Sequence, residues 1–391
     1  MGREQKKIGL ILTGGGARAA YQVGVLKAIA EFVPRRSPSP FQVVCGTSAG
    51  ALNAVTLAVN AEHFRKGVKY LLGIWNNSHV SDIYRSDVVG VFINSVRWLG
   101  GLVLSMLGIN RMNRISLLDN SPLTVFLEET LPCEKIQENI DAGALHALSI
   151  TASGYGSGYS VTFYQGVPEL QPWKRARRLG METKIGIEHL LASSAIPFIF
   201  PAVHIHREYF CDGSVRQIAP ISSALHLGAD KVLLIGAWHA DDDEGRRNKM
   251  DDYPSLAQIA GHALDSIFLD GLEVDLERLQ RINNAVKLIP EELRTATHML
   301  YIDVLVITPS QPLEKIAERY IAQLPWTIRL LLRAVGVMRR SGANLVSYLL
   351  FDKLYCRALV DLGYQDALKR RDEIIKFLDQ DSGPAASAMP Q

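Results

Sequence analysis

Twice within its first 60 residues the chain runs a short apolar stretch into glycine and then out into residues at helical spacing. No other feature restricts its folding as strongly. The first unit is an apolar run over 8–13 closed by Gly14, Gly15 and Gly16, followed by Ala20, Val23, Leu26, Lys27 and Ala30 at helix intervals. After a Pro- and Ser-rich linker at 34–40, the second unit predicts a strand over 42–45 and a helix over 49–60. Further apolar runs at 148–152, 161–164, 231–236 and 304–308 read as strands, with helices over 187–195 and 219–227. This alternation predicts an α/β fold with a mostly parallel central sheet covered on both faces. From 313 onward the pattern is nearly all helical, and 381–391 is small and polar, as in a frayed tail.

Composition narrows the function classes. A chain of 391 residues, 48% hydrophobic and 21% charged, has ample material for a core. Its net charge of +2 gives no electrostatic footprint for nucleic acid. Cys45, Cys133, Cys211 and Cys356 lack metal-ligand spacing and are few for this length, which predicts reduced thiols and a cytoplasmic protein. The apolar run after the basic N-terminus spans only 8–12, short of the roughly 7–15 residues of a signal segment.

Two glycine turns carry the chemistry. In "LTGGGARAA" three glycines precede a helix, a geometry that brings unpaired N–H groups close to an anion. The same residues satisfy G-x-G-x-x-A through Gly14, Gly16 and Ala19, so a dinucleotide site is the rival reading. No Gly-Lys-Ser/Thr follows, which excludes a P-loop. In "GTSAG", Gly46 and Gly50 bracket Ser48 in the G-x-S-x-G pattern of a nucleophile elbow, where the strand-to-helix turn exposes a serine hydroxyl. Its plainer reading is a tight turn with Ser48 capping a helix. Adjacent parallel strands would bring both turns to one edge of the sheet, so that backbone donors lie near an attacking serine.

The base for such a serine is not an obvious histidine. None of the ten histidines sits in a recognisable late strand-end loop, and His204 and His206 alternate along a predicted strand as ordinary strand residues. "EYFCDGSV" instead ends an apolar run in Asp212-Gly213, which is otherwise a common hairpin turn. Gly14-Gly15-Gly16-Ala17-Arg18, Gly46-Thr47-Ser48-Ala49-Gly50 and Asp212-Gly213, in this order, together resemble the patatin-like phospholipase family. "ASSAIPFIFPAV" (192–203) and "APISSALHLGADKVLLIG" (219–236) are also similar to that family's sequence around its aspartate.

The resemblance implies a three-layer patatin-like α/β fold, with a catalytic domain over 7–236 whose sheet continues to about 310 and a helical C-terminal region over 311–380. It further implies hydrolysis of phospholipid or other acyl-ester lipids by a Ser48–Asp212 dyad. Gly14, Gly15, Gly16 and Arg18 would form the oxyanion loop, without metal or cofactor. Arg18 would steady that loop or meet a lipid phosphate, unless it is simply an exposed first-turn arginine. Ala19 and Ser214 stand where the family more often has glycine, and glycine or alanine. Both are small replacements that leave the dyad in place.

Three segments bear on a membrane surface. Residues 88–109 are long and apolar, but Arg97 at their middle would cost about 2.5–3.5 kcal/mol in a bilayer. They read as a lid, a docking helix or a buried element. Residues 324–340 place Arg329, Arg333 and Arg340 on one helical face, opposite Trp326, Ile328, Leu331, Leu332, Val335 and Met338. That pattern suits a peripheral membrane helix or a core helix with a basic stripe. "WKRARR" (173–178) reads as a phosphate-facing patch or a charged loop.

Overall fold

The computed structural model describes residues 6–85, 116–217, 219–239, 271–290, 301–334 and 343–379, with isolated positions between 259 and 293. Segments 88–109, 241–244, 335–340 and 381–391, on which the sequence raises expectations, lie outside the described residues.

The strands are β1 (Ile8–Leu12), β2 (Val43–Thr47), β3 (Ala147–Gly154), β4 (Ser160–Gly166), β5 (Trp173–Arg175), β6 (Arg178–Glu182), β7 (Val203–Ile205), β8 (Glu208–Asp212), β9 (Lys231–Ile235) and β10 (Asp303–Ile307). They form one sheet in the order β10-β9-β1-β2-β3-β4-β6-β5, with β8 joined to β3 and β7 to β8. The five strands from β10 to β3 run parallel. Beyond β3 the sheet is mixed: β3 with β4, β3 with β8, β5 with β6 and β7 with β8 are antiparallel, whereas β4 and β6 are parallel. β10 pairs with β9 from Asp303 to Ile307, so the late apolar run does rejoin the sheet.

Alternate residues of the parallel strands enter two separate cores, as a two-residue side-chain period requires. Leu10, Leu12, Leu233 and Ile235 face one core, with α1 (Ala20–Phe32) and α2 (Ala49–Ala58). Ile11, Val232 and Leu234 face the other, with Ile221 and Ala224 of the helix Pro220–His226. Fully covered strands explain why these segments read as continuous apolar runs rather than alternating ones.

The C-terminal helices join the first core. Tyr355, Cys356, Leu359 and Val360 of the helix Lys353–Lys369 are buried with Val23, Leu26 and Ile29 of α1, and the Tyr21 hydroxyl donates to Asp366 Oδ2 at 3.3 Å. The helix Trp326–Ala334 divides its apolar residues between two environments: Ile328 is buried, whereas Trp326 and Leu330 are each 59% exposed. "WKRARR" supplies β5, the turn after it and the first residue of β6 at the sheet edge, with Lys174, Arg175 and Arg177 exposed and Trp173 stacked on Tyr164. No helix among the described residues is long and apolar enough to cross a membrane. All four cysteines are unpaired.

Candidate active site

β2 ends at Thr47, and the next residue has φ 53° and ψ −130°. Ser48 is thus a non-glycine residue held in backbone space that costs on the order of 1–3 kcal/mol, a strain that persists only where the surroundings impose it. Here the surroundings are specific. The Ser48 N–H donates to Ser193 Oγ at 2.8 Å, and the Ser193 hydroxyl donates to the Thr151 carbonyl of β3 at 2.6 Å. α2 starts at once, with the Ala51 N–H on the Ser48 carbonyl at 2.8 Å. Gly50 is required by close approach, because a Cβ there would lie 2.3 Å from the Leu12 carbonyl oxygen at the end of β1.

Asp212 ends β8, and β3 is the neighbour that β8 shares with β2. Thr47 pairs with Thr151, and the next β3 residue, Ala152, pairs with Asp212. β8 therefore takes over along β3 where β2 stops, which puts the carboxylate beside the Ser48 turn. Asp212-Gly213 is accordingly not a hairpin; it leads into a 3-10 turn at Gly213–Arg216, with the Ser214 N–H on Asp212 Oδ1 at 2.9 Å.

Asp212 is fully buried, and its Oδ2 has no hydrogen-bond partner. Burial pushes the carboxyl up to about 6, against the opposing pull of the Ser48 hydroxyl and of the Ser214 amide and hydroxyl. A carboxyl in that range is mostly ionised at neutral pH yet is a stronger base than an exposed aspartate.

The glycine turn ends the adjacent strand. Gly16–Ala19 forms a 3-10 turn ahead of α1, and the amides of Gly14 and Gly15 donate no hydrogen bond among the described residues. Gly16 has φ +54°, and a Cβ there would meet the Tyr348 carbonyl oxygen at 2.2 Å. The C-terminal helix Ala343–Leu349 thus presses its backbone on this loop at Gly16.

Arg18 is not the exposed residue its position in a first turn allows. It is buried, with Nε on Ser347 Oγ at 2.7 Å, a guanidinium nitrogen on the Tyr348 hydroxyl at 3.0 Å, and another on Asn344 Oδ1. Those contacts match the loop-steadying role, with the partners supplied by the far end of the chain.

A cleft of about 130 Å³ opens over Ser48. Leu52, Ile74, Trp75, Leu127, Leu190 and Phe200 are among its walls, with Gly16 and Tyr348 beside the serine. No histidine lines it among the described residues. His189 instead accepts the Gly186 N–H at 3.0 Å and packs edge-on against Phe163, while His204 lies in β7 and His206 in its turn, at φ 53°. Sequence reasoning gives Ser193 no role, although it lies in the "ASSAIPFIFPAV" stretch, and misses the cleft walls, which only the fold brings together.

The model of a family described as patatin-like phospholipase matches residues 10–225, a span that holds both glycine turns, Ser48 and Asp212. No curated protein matches the chain. Among solved structures, VipD from Legionella pneumophila is similar over 94% of this chain and 67% of its own length, at 12% identity and a TM-score of 0.37. The type III effector protein ExoU is similar over 88% of this chain and 78% of its own length, at 16% identity and a TM-score of 0.24. Likeness at that level transfers no activity.

Proposed function

The chain belongs to the patatin-like phospholipase family, a family of lipid acyl hydrolases, and from that premise we propose that Ser48 and Asp212 hydrolyse acyl esters of phospholipids or lysophospholipids. The observation that carries this reading is the β3 register, Thr151 with Thr47 and Ala152 with Asp212, which brings a buried base to a strained serine at the floor of an apolar cleft.

In this mechanism the ionised Asp212 takes the Ser48 hydroxyl proton as Oγ bonds to the acyl carbonyl carbon. The carbonyl electrons move to oxygen, and amides of the Gly14–Gly16 loop meet the resulting oxyanion. Collapse expels the alcohol, which receives the proton from Asp212. Water then attacks the acyl-serine, returns a proton through Asp212, and releases the fatty acid. The apolar walls of the cleft suit an acyl chain, since burying one releases about 0.8 kcal/mol per methylene.

Labelling with a fluorophosphonate tests the assignment. Wild type should be labelled and should turn over p-nitrophenyl esters, while folded Ser48→Ala should do neither. Ester turnover that persists in Ser48→Ala removes the nucleophile, and a wild type that binds liposomes without turnover is a scaffold rather than an enzyme.

A further inference from the structure

Two carboxamides lie wholly inside the protein, next to the glycine loop. Gln22 of α1 and Asn53 of α2 are each 0% exposed. An unsatisfied amide at such depth costs about 1–3 kcal/mol, so their partners matter. Gln22 Nε2 donates to the Thr13 carbonyl at 2.8 Å and to the Ile235 carbonyl at 3.3 Å. Asn53 Nδ2 donates to the Ala19 carbonyl at 3.2 Å and to Gln22 Oε1 at 2.9 Å. Asn53 Oδ1 accepts the indole N–H of Trp75 at 2.8 Å. Both NH2 groups are fully used and both oxygens accept. Turning the Asn53 amide over would set its NH2 against the Trp75 N–H, donor against donor, so its orientation is unique.

The connections converge on one object. Thr13 and Ala19 bracket the loop that holds Gly14, Gly15, Gly16 and Arg18, and the same pair of amides grips both ends. A trans peptide points its N–H opposite to its C=O. Drawing the Thr13 carbonyl inward to Gln22 therefore turns the Gly14 N–H outward, and that amide has no partner among the described residues. Asn53 sits in the helix that Ser48 begins, and Trp75 is a wall of the cleft.

We propose that Gln22 and Asn53 are positioning residues of the hydrolysis, a buried amide relay that holds both ends of the glycine loop in register with the Ser48 turn and with Trp75 of the cleft. This rests on the assignment of Ser48 as nucleophile and of the loop as oxyanion donor. The relay touches no substrate. It acts by fixing where the loop amides point, and a donor displaced by about 1 Å costs on the order of 100-fold in rate.

Gln22→Met and Asn53→Leu remove the amides at nearly constant volume. Each variant and wild type would be titrated with a fluorophosphonate to count reactive sites, then assayed on p-nitrophenyl butyrate. Kcat per titrated site should fall roughly 10- to 100-fold while KM stays within about twofold, because the loss falls on the transition state. Inhibition by a trifluoromethyl ketone, whose serine adduct needs the oxyanion donors, should weaken by a similar factor, and binding of the product fatty acid should not. Kcat per titrated site within about twofold of wild type overturns the proposal. So does a variant that titrates no sites and melts far below wild type, since the relay would then be only structural. A wild type that neither labels nor turns over ester defeats the Ser48 assignment instead, and takes this proposal with it.

Discussion

Ser48 and Asp212 meet because their strands use consecutive positions of one neighbour: β2 occupies Thr151 of β3, and β8 occupies Ala152. One residue of register separates the two pairings. The serine enters from a parallel strand and the carboxylate from an antiparallel one, so the two chain ends converge head-on over β3.

Asp212→Asn keeps the shape of the side chain but cannot accept a proton, and acylation should slow by roughly 10²- to 10⁴-fold. In wild type, kcat/KM should fall as pH drops through about 6, because protonation of Asp212 removes the base. His189→Gln should leave most activity. Stopped-flow acylation across pH is the measurement, and an acid limb near 4, or a collapse in folded His189→Gln, would return the base to another group.

The same carboxyl makes a stability prediction. Its folded pKa is raised from 3.8 to about 6, so the folded state binds the proton more tightly than the unfolded chain. The penalty for the buried charge is fully present above about 6 and disappears as pH falls toward 4. Asp212→Asn should therefore be more stable than wild type at pH ~8, by on the order of 2–3 kcal/mol, and nearly equal to it at pH ~4. Urea melts at the two pH values check this; a pH-independent difference would contradict it.

Ser193 holds the Ser48 amide from one side and the Thr151 carbonyl from the other. Ser193→Ala leaves both groups unpaired in a buried place, at a cost of about 1–3 kcal/mol. Kcat should drop further than the folded fraction explains, because the Ser48 turn loses its brace. Thermal melts alongside burst-phase kinetics separate the two effects, and unchanged kinetics in a destabilised variant would limit Ser193 to a structural role.

Leu127 is a buried wall of the cleft, and a larger side chain there should shorten the acyl chain it accepts. Leu127→Trp should lower kcat/KM for a palmitoyl ester by about tenfold or more relative to a butyryl ester. A series of p-nitrophenyl esters of increasing length would show it. An unchanged length profile would move the acyl chain elsewhere.

Much of the fold is legible in the order of the residues. Runs such as 8–12 and 232–235 announce themselves because a strand buried on both faces must be apolar throughout, and the glycine turns stand out because few other residues allow their geometry. Gly46, Ser48 and Gly50 are readable for the same reason, whereas Asp212-Gly213 reads locally as a hairpin turn and is set apart only by the resemblance of the whole pattern. "WKRARR" reads as a loop or patch and proves to be the tip of an edge hairpin, since such a hairpin is charged where it meets solvent and composition alone does not reveal its strand pairing.

The succession of strands and helices and the two glycine turns, with Ser48 in the second, follow from neighbours a few residues apart, whereas Asp212 is singled out only by the family resemblance. What surrounds them arises only on folding. The burial that pushes Asp212 up to about 6, the bond from Ser193 to Ser48 across 145 positions, and the grip of Asn344, Ser347 and Tyr348 on Arg18 from the far end of the chain have no local signature. Desolvation and hydrogen bonding act through space, and a residue such as Asn53 reads as an ordinary helix position until the fold closes Ala19, Gln22 and Trp75 around its amide.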